Sequence, residues 1–452
     1  MRRRTAVLYA GALILAGCRE GDGPADPSLT DARVYITSSP NGAQITVDNR
    51  NTGLVTPDTV ALRRGDRAVA LRLDSAGYTY EYGVTLQVER LDSVVDVHLP
   101  LGMQCLNTIG SCFSAARRHR TTGGLTFASS AVGSLFQWGG SGQGLLWPAS
   151  TTNSYASAGM PVFAALADEV PVALGVYDQS MLAGLPAPRV TQTDGSFRLE
   201  QRAWVVPPPS GLVRPATVRG ILIEEEVMGR DSVNGVLVVR LTFRNVSDDT
   251  LVHRYAPHIP AGAVTYTDAW IGFALDPDIG NASDDWLSYD VDLNMVFAYD
   301  SNFSESFVGP DAAAPGLLGL RVLDAPAGTS VLLNSWPTAG DWSAATATEQ
   351  AGYGMLTGSE IYPPQHEHPQ LGYMPPQSSD IRMSVTAGPL TLQPGDEARI
   401  VIAIAVAPPA GQTFTSGTTV PPGDPLDTDR AIHRIAANLR ARMIAAEGLA
   451  GN

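Results

Sequence analysis

The sequence predicts a mostly β protein: a small β-sandwich, then a larger β-sandwich that closes with a short C-terminal helix. Three observations carry this expectation. Gly (45) and Pro (33) make up about one residue in six of the 452, a proportion that favours turn-rich β structure over long helices. From residue 33 onward, short apolar or alternating runs recur between turn signals. Helical spacing appears only near the end, where Ile432, Ile435, Leu439, Met443 and Ile444 recur over residues 427–447. Asp427 and Asp429 are its candidate N-caps and Gly448 its expected stop. The length implies two or three domains, and 44% hydrophobic residues suffice for real cores. A formal charge of −15 argues against nucleic acid or an anionic bilayer surface as the main partner. All 30 residues of the Lys and Arg count are arginine, a composition bias with little functional content.

The chain opens with Arg2, Arg3 and Arg4, an apolar run over 6–15 too short to span a bilayer, and Leu15-Ala16-Gly17-Cys18. This resembles the lipobox of bacterial lipoproteins, whose leader is cut before the Cys and whose thiol carries a diacylglycerol. The competing reading is an ordinary secretion signal with a chance Cys. The resemblance implies lipidation at Cys18, with acyl chains that hold the membrane by about 0.8 kcal/mol per buried CH₂. It also implies a place in the bacterial cell envelope. Arg19, rather than Asp, follows the Cys and leans toward the outer membrane or cell surface. No later stretch reaches the roughly 18 apolar residues a second anchor needs. Residues 1–18 are thus read as signal peptide and lipobox, and the polar, Gly- and Pro-containing 19–32 as a flexible tether.

From 33 to 101 the order is a strand at 34–36, the turn Ser39-Pro40-Asn41-Gly42-Ala43, and a strand at 44–48. Gly53, Thr56-Pro57, Leu62 and Gly65 follow, then strands at 68–73 and 92–99 around Gly77-Tyr78. This punctuation resembles the PEGA domain, a small β-sandwich module of bacterial surface proteins. Asp66-Arg67 departs from it where the family often has a Gly-aromatic or Gly-His step. The resemblance implies a non-catalytic accessory module near a cell wall or membrane.

Residues 102–124 are read as a linker. They hold Cys105 and Cys112, which an oxidising compartment would join in a small disulfide loop, and the basic run Arg117-Arg118-His119-Arg120, read as a solvated junction. A metal site would want more Cys or His nearby, and the spacing is not that of a CxxC redox pair.

Residues 125–452 are the expected larger β-sandwich. The Gly-rich stretch up to about 160 suits sheet edges and loops, and its glycine run lacks the Lys and Ser/Thr of a phosphate-binding loop. Strands are expected at 199–206, 218–227, 235–245, 269–275, 287–299, 319–323 and 330–333. Two more flank the turn Gln393-Pro394-Gly395-Asp396. Glu224, Glu225 and Glu226 read as a solvated strand end, since consecutive strand residues face opposite ways and a glycosidase pair must face each other. Residues 353–373 read as a loop, where His366 and His368 in His-Glu-His offer a weak metal signal. From about 199 to 447 the strand pattern resembles β-rich ectodomains of secreted bacterial proteins. They carry no established catalytic set, so no catalytic residue is assigned.

The densest chemistry is at 276–292. Asp276, Asp278, Asn281, Asp284, Asp285 and Asp290 place hard oxygen donors around a turn that Gly280 permits. That is the donor chemistry of Ca²⁺, which takes six to eight oxygens. It is not an EF-hand, because Gly280 stands fifth and no helices flank the loop. A solvated acidic turn held by Asx-type hydrogen bonds and a set of catalytic acids are the competing readings. Together these features point to a lipid-anchored envelope protein with a non-catalytic binding or structural role, stabilised by Ca²⁺. Its partners would be the membrane, through the anchor, and a cell-wall or extracellular glycan or protein ligand. The alternative is an envelope hydrolase acting on glycans or peptides through the loop carboxylates or a His-Glu-His metal.

Overall fold

Alternation of apolar and polar residues builds the first seven strands: β1 (Ala32–Ser39), β2 (Gln44–Val47), β3 (Arg50–Val55), β4 (Asp58–Leu62), β5 (Gly65–Ser75), β6 (Tyr78–Val88) and β7 (Val94–Pro100). They form a three-stranded sheet, β4-β1-β7, and a four-stranded sheet, β3-β2-β5-β6. Val34, Ile36, Val60 and Leu62 of the first sheet share a buried core with Ile45, Val69 and Leu71 of the second. The computed structural model describes residues 32–39, 41–63, 65–75, 78–88, 94–100, 117–120, 124–130, 133–136, 144–149, 151–174, 181–183, 189–193, 195–205, 220–248, 263–302, 307, 315–337, 349–358, 378–411 and 431–451. Cys18, Cys105, Cys112, His366, His368, Asp427 and Asp429 lie outside them.

The remaining strands are β8 (Arg117–Arg120), β9 (Thr126–Ser129), β10 (Leu145–Leu146), β11 (Ser154–Ala167), β12 (Val170–Leu174), β13 (Met181–Ala183), β14 (Arg189–Thr193), β15 (Ser196–Val205), β16 (Ile221–Arg230), β17 (Val236–Asn245) and β18 (Tyr266–Pro277). After them come β19 (Asp285–Asp290), β20 (Met295–Asp300), β21 (Leu317–Asp324), β22 (Ser330–Pro337), β23 (Ile381–Leu392) and β24 (Glu397–Ala407). One eight-stranded sheet runs β22-β23-β18-β11-β10-β9-β8, with β12 also on β11. One nine-stranded sheet runs β13-β15-β16-β17-β24-β21-β20-β19, with β14 also on β15. The two sheets face each other: Phe163 of β11 stacks on Phe243 of β17 at 6.2 Å, and Phe127 of β9 meets Phe197 of β15 edge-on at 5.5 Å.

β24 shows why such an apolar run is needed. Ile400, Ile402, Ile404 and Val406 point into the core between the sheets. The alternate residues Val401, Ala403, Ala405 and Ala407 point the other way, into a second buried cluster beneath three helical segments. These are α2 (Ala431–Ile435), α3 (Ala437–Ala445) and α4 (Glu447–Ala450), which contribute Ile432, Ile435, Leu439, Met443 and Leu449. Small residues on the outer face let the helices approach closely: a Cβ on Gly319 of β21 would stand 2.7 Å from Met443 Cε. Buried Arg321 fastens this layer, donating to Leu293 O at 2.8 Å, Met443 O at 2.7 Å and Glu447 Oε1 at 2.6 Å.

α1 (Glu349–Thr357) covers the opposite side. Ser335 Oγ meets Tyr289 Oη at 3.0 Å between the sheets, so neighbouring Asn334 points outward, where its Nδ2 donates to Met355 O at 2.6 Å. Thr386 Oγ1 likewise donates to Leu356 O at 2.9 Å. The layers are therefore helix, sheet, sheet, helix.

Several local expectations are corrected. The run 287–299 is a hairpin, not one strand: Asp290 accepts the Leu293 N–H, and Asn294 takes a left-handed φ of +50° to close the turn. Apolar Val291 and Leu293 hide that turn in the sequence. Residues 353–357 belong to α1, whose Gly352 fits against Ala173 at close range. Residues 154–160 begin the long, buried β11 rather than an edge or loop. The C-terminal helix is three short segments, and Gly448 lies inside the last. The basic run 117–120 is an edge strand. Its His119 is buried, bonded to Ser129 Oγ at 2.6 Å and set between Phe127 and Phe197.

The Glu224–Glu225–Glu226 triplet is also not a strand end. It sits in the middle of β16, with Glu224 paired to Arg202 at 2.6 Å and Glu226 to Arg198 and Arg240. Glu225 points the other way, buried opposite Gln201, with Leu241 of β17 on its other side in the same row. Burial pushes its carboxyl up to about 8, with Gln201 opposing the shift. The folded chain therefore holds a proton that the unfolded chain releases near the ordinary carboxylate range. On this group's account, stability falls as pH rises from about 4.5 to about 8 and is level above that. Glu225→Gln is expected to remove this slope and to stabilise the protein at pH 9 by on the order of 4 kcal/mol, read from urea unfolding across pH.

Candidate metal centre

β18 ends in Asp276 and Pro277, and residues 278–284 carry the chain from the eight-stranded to the nine-stranded sheet. The crossing is pinned to the start of β11: Asp278 N donates to Tyr155 O at 3.1 Å and Gly280 N to Ser154 O at 3.3 Å. Gly280 has a φ of +76°, the left-handed turn that its lack of a side chain allows. Asn281 then caps a short 3₁₀ turn, Ala282–Asp284, through Ser283 N at 3.3 Å. At the first residue of β19, Asp285 O accepts the Ser379 N–H at 3.1 Å. That contact brings the stretch before β23 alongside, and with it Asp380.

The result is a group of three carboxylates, Asp276, Asp278 and Asp380, whose nearest oxygens all lie within 4.8 Å of one another. Asp276 and Arg382 stand one rung beyond the Leu275–Met383 pair of β18 and β23, and they form a buried ion pair at 3.1 Å. Ser157 Oγ donates to the same Asp276 oxygen at 2.9 Å. Burial, followed by the charge of Asp276, pushes the Asp278 carboxyl up to about 7. Asp380 adds to this push, while the Ser157 hydroxyl and Arg382 oppose it. Across the turn, burial pushes Asp285 well above its ordinary value. Its bond from Ile279 N–H, 3.1 Å long, opposes the shift, and Asp278, Asp300 and Asp284 reinforce it.

A cation with oxygen ligands at 2.3–2.6 Å accepts donors up to about 5 Å apart across its shell, so the three carboxylates match Ca²⁺ in donor type and spread. Asp276 and Asp278 come together, and the third member, Asp380, was missed because more than a hundred residues separate it from the loop. Asp284 and Asp285 lie on the β19 side of the turn, near Asp300. The structure does not bring Asn281 or Asp290 to the three-carboxylate group. Asn281 is exposed and spends its side-chain oxygen on the cap. Asp290 is at the far end of β19, ion-paired with Arg440 of α3.

The amino-terminal module has its own organising group. The buried Thr56 hydroxyl meets Ser38 Oγ and accepts from Ala43 N at 3.0 Å and Gly42 N at 3.2 Å. Gly42, with φ +95°, completes the turn by donating from its N–H to Thr56 O at 2.7 Å. One threonine thus ties the Ser-Pro-Asn-Gly-Ala turn to the Thr-Pro step that follows. Residues 32–101 match the family model of the PEGA domain. The strands of the PEGA domain pair only with one another among the described residues, and β8–β24 do likewise. No curated protein matches the chain.

The Asp276–Arg382 pair gives the site a direct stability test. Arg382→Met leaves a buried carboxylate beside two others and is expected to cost about 3–5 kcal/mol by denaturant unfolding. The double variant Arg382→Met/Asp276→Leu, which removes both charges, is expected to recover most of that loss.

Proposed function

We propose that the chain is a lipid-anchored protein of the bacterial cell envelope, held at the outer membrane or cell surface, with a binding or structural role rather than a catalytic one. The observation that carries this reading is a PEGA domain beginning shortly after a segment that resembles a lipoprotein leader ending at Cys18. In this reading residues 19–32 are the tether and the PEGA domain is the membrane-proximal module. The larger sandwich is the outward body, meeting a cell-wall or extracellular glycan or protein ligand. The small Cys105–Cys112 loop would be oxidised in that compartment. Ca²⁺ at Asp276, Asp278 and Asp380 would neutralise a repulsion for which Arg382 supplies only one positive charge.

One observation favours a second reading, an envelope hydrolase acting on glycans or peptides. Asp278, raised to about 7, stands beside an Asp276 held by Arg382, and two carboxylates in contrasting environments are the usual equipment for acid–base work. Under that reading Asp278→Asn abolishes hydrolysis of a glycan or peptide panel. Under the first reading the panel is bound or ignored, but not cleaved.

Labelled palmitate is expected to enter the full-length chain and to be absent from Cys18→Ala, which should leave the membrane fraction. Membrane retention of Cys18→Ala would sink the anchoring. In thermal melts Ca²⁺ is expected to raise the Tm and chelator to lower it, with a larger gain at pH 8 than at pH 5 because protons compete for Asp278. A Tm indifferent to chelator at both pH values would remove the cation from this account.

A further inference from the structure

β18 pairs in register with β11 and β23 along most of its length, and departs from both near its start. Its register slips against β23 between Tyr266 and Ala269 and again between Ala269 and Ile271, and against β11 between Ala164 and Leu166. In the middle of that bulge Asp268 takes a φ of +46°, a left-handed conformation that is strained for a residue with a side chain. A bulge of this kind re-aims a side chain. The Asp268 carboxylate accepts from Trp270 Nε1 at 3.2 Å through Oδ1 and from Tyr353 Oη of α1 through Oδ2. The indole lies across Gly388 of β23, where a Cβ would stand 2.5 Å from Trp270 Cδ2 and 2.6 Å from Cγ. Asp268, Trp270 and Tyr353 all stay partly exposed.

Anchoring α1 does not account for the charge. An asparagine tolerates the same backbone, would accept from Trp270 through its oxygen, and would donate through its amide to the Tyr353 hydroxyl, which accepts as well as donates. Asp268 instead brings a full negative charge, and it forms no ion pair among the described residues. Burial, followed by the bond to Asp268 and its charge, holds the Tyr353 phenol above its ordinary range, so the ring keeps its proton and stays neutral. The hairpin tip beyond the Ala167–Tyr266 pair adds two exposed acids, Asp168 and Glu169, at the same end of the sheet. A metal ion fits poorly, because one carboxylate with a donor already on each oxygen is not a shell of six or more oxygens. A carboxylate held between an indole and a phenol, in a chain of formal charge −15, matches an organic cation.

We infer that Asp268, Trp270 and Tyr353 form a recognition site for an organic ammonium group, the rings meeting its alkyl carbons and Asp268 supplying the opposite charge. Each Asp268 oxygen already holds one donor, so a methylated ammonium, which needs no acceptor for an N–H, suits the site better than a primary one. Gly388 belongs to the arrangement as well, since a side chain there would displace the indole. The site depends on neither the lipid anchor nor the three-carboxylate centre, which sits at the other end of β18.

The test is calorimetric titration of the full-length chain at low ionic strength with choline, with butylammonium, and with 3,3-dimethylbutan-1-ol, the uncharged carbon isostere of choline. Choline is expected to bind saturably, about tenfold or more tighter than the isostere, and to weaken as salt is added. Asp268→Asn keeps the backbone and both bonds, and Trp270→Leu keeps an apolar group over Gly388. Each should lose about tenfold or more in choline affinity. Choline tighter than its isostere, with that advantage lost in Asp268→Asn, upholds the site. Butylammonium tighter than choline, with the same loss, upholds it for a lysine-type amine rather than a methylated one. Equal affinity for choline and isostere, no saturable binding of either ammonium, or unchanged choline affinity in a folded Asp268→Asn overturns the proposal. Thermal melts report whether the variants fold, and the comparison of choline with its isostere needs wild type alone.

Discussion

Strands β24, β21 and β20 of the nine-stranded sheet are buried on both faces, and the rest of the larger sandwich follows from that constraint. A sheet that faces water on one side can alternate apolar with polar residues. A sheet packed between another sheet and a helical layer cannot, so β24 becomes an unbroken run in which isoleucines fill the deep inner face and alanines line the shallow outer one. The alanines bring the helices close, and closeness leaves the helix carbonyls and the 291–294 turn in need of donors. Arg321 supplies two of them, to Met443 O and Leu293 O, from a position within the sheet, and pairs with the Glu447 carboxylate. Removing water from both faces thus dictates side-chain size on one side and a buried cation on the other.

The sequence displays this frame through period and punctuation. Strands β1, β2, β5 and β7 of the PEGA domain are legible because Asn41-Gly42 and Thr56-Pro57 mark turns whose chemistry is local, while β3, β4 and β6 are not. The hairpin around Pro394-Gly395 is legible for the same reason. Legibility fails where burial comes from distant partners. Ser154 to Met160 reads as a Ser- and Gly-containing edge or loop, yet it opens a central strand because neighbours on both sides cover it. Glu225 reads as a surface acid, and its inward direction depends on the phase of β16 against β15 and β17 rather than on its own neighbours.

The acidic crossing divides in the same way. Its carboxylate density, its glycine turn and its asparagine cap are all visible along the chain. The partition is not. Asp276 and Asp278 take their third carboxylate from the stretch before β23, while Asp284 and Asp285 face the far end of β20. Asp290, one short strand away, is drawn to the helical layer on the opposite face because strand alternation carries it there. Spacing along the sequence predicted a single shell. Strand geometry distributes the same residues over three neighbourhoods.

The span between Asp276 and its cation partner Arg382 has a consequence for how the chain matures. The two are 106 residues apart, so this end of the sandwich cannot close until β23 has been made and has paired with β18. The PEGA domain, assembled from contacts within some seventy residues, has no such wait. During synthesis the amino-terminal module can be complete while the acidic end is still open to solvent. Order of assembly then runs from the amino terminus, and the acidic end is enclosed only once β23 is in place, with β24 and the helical layer still to follow.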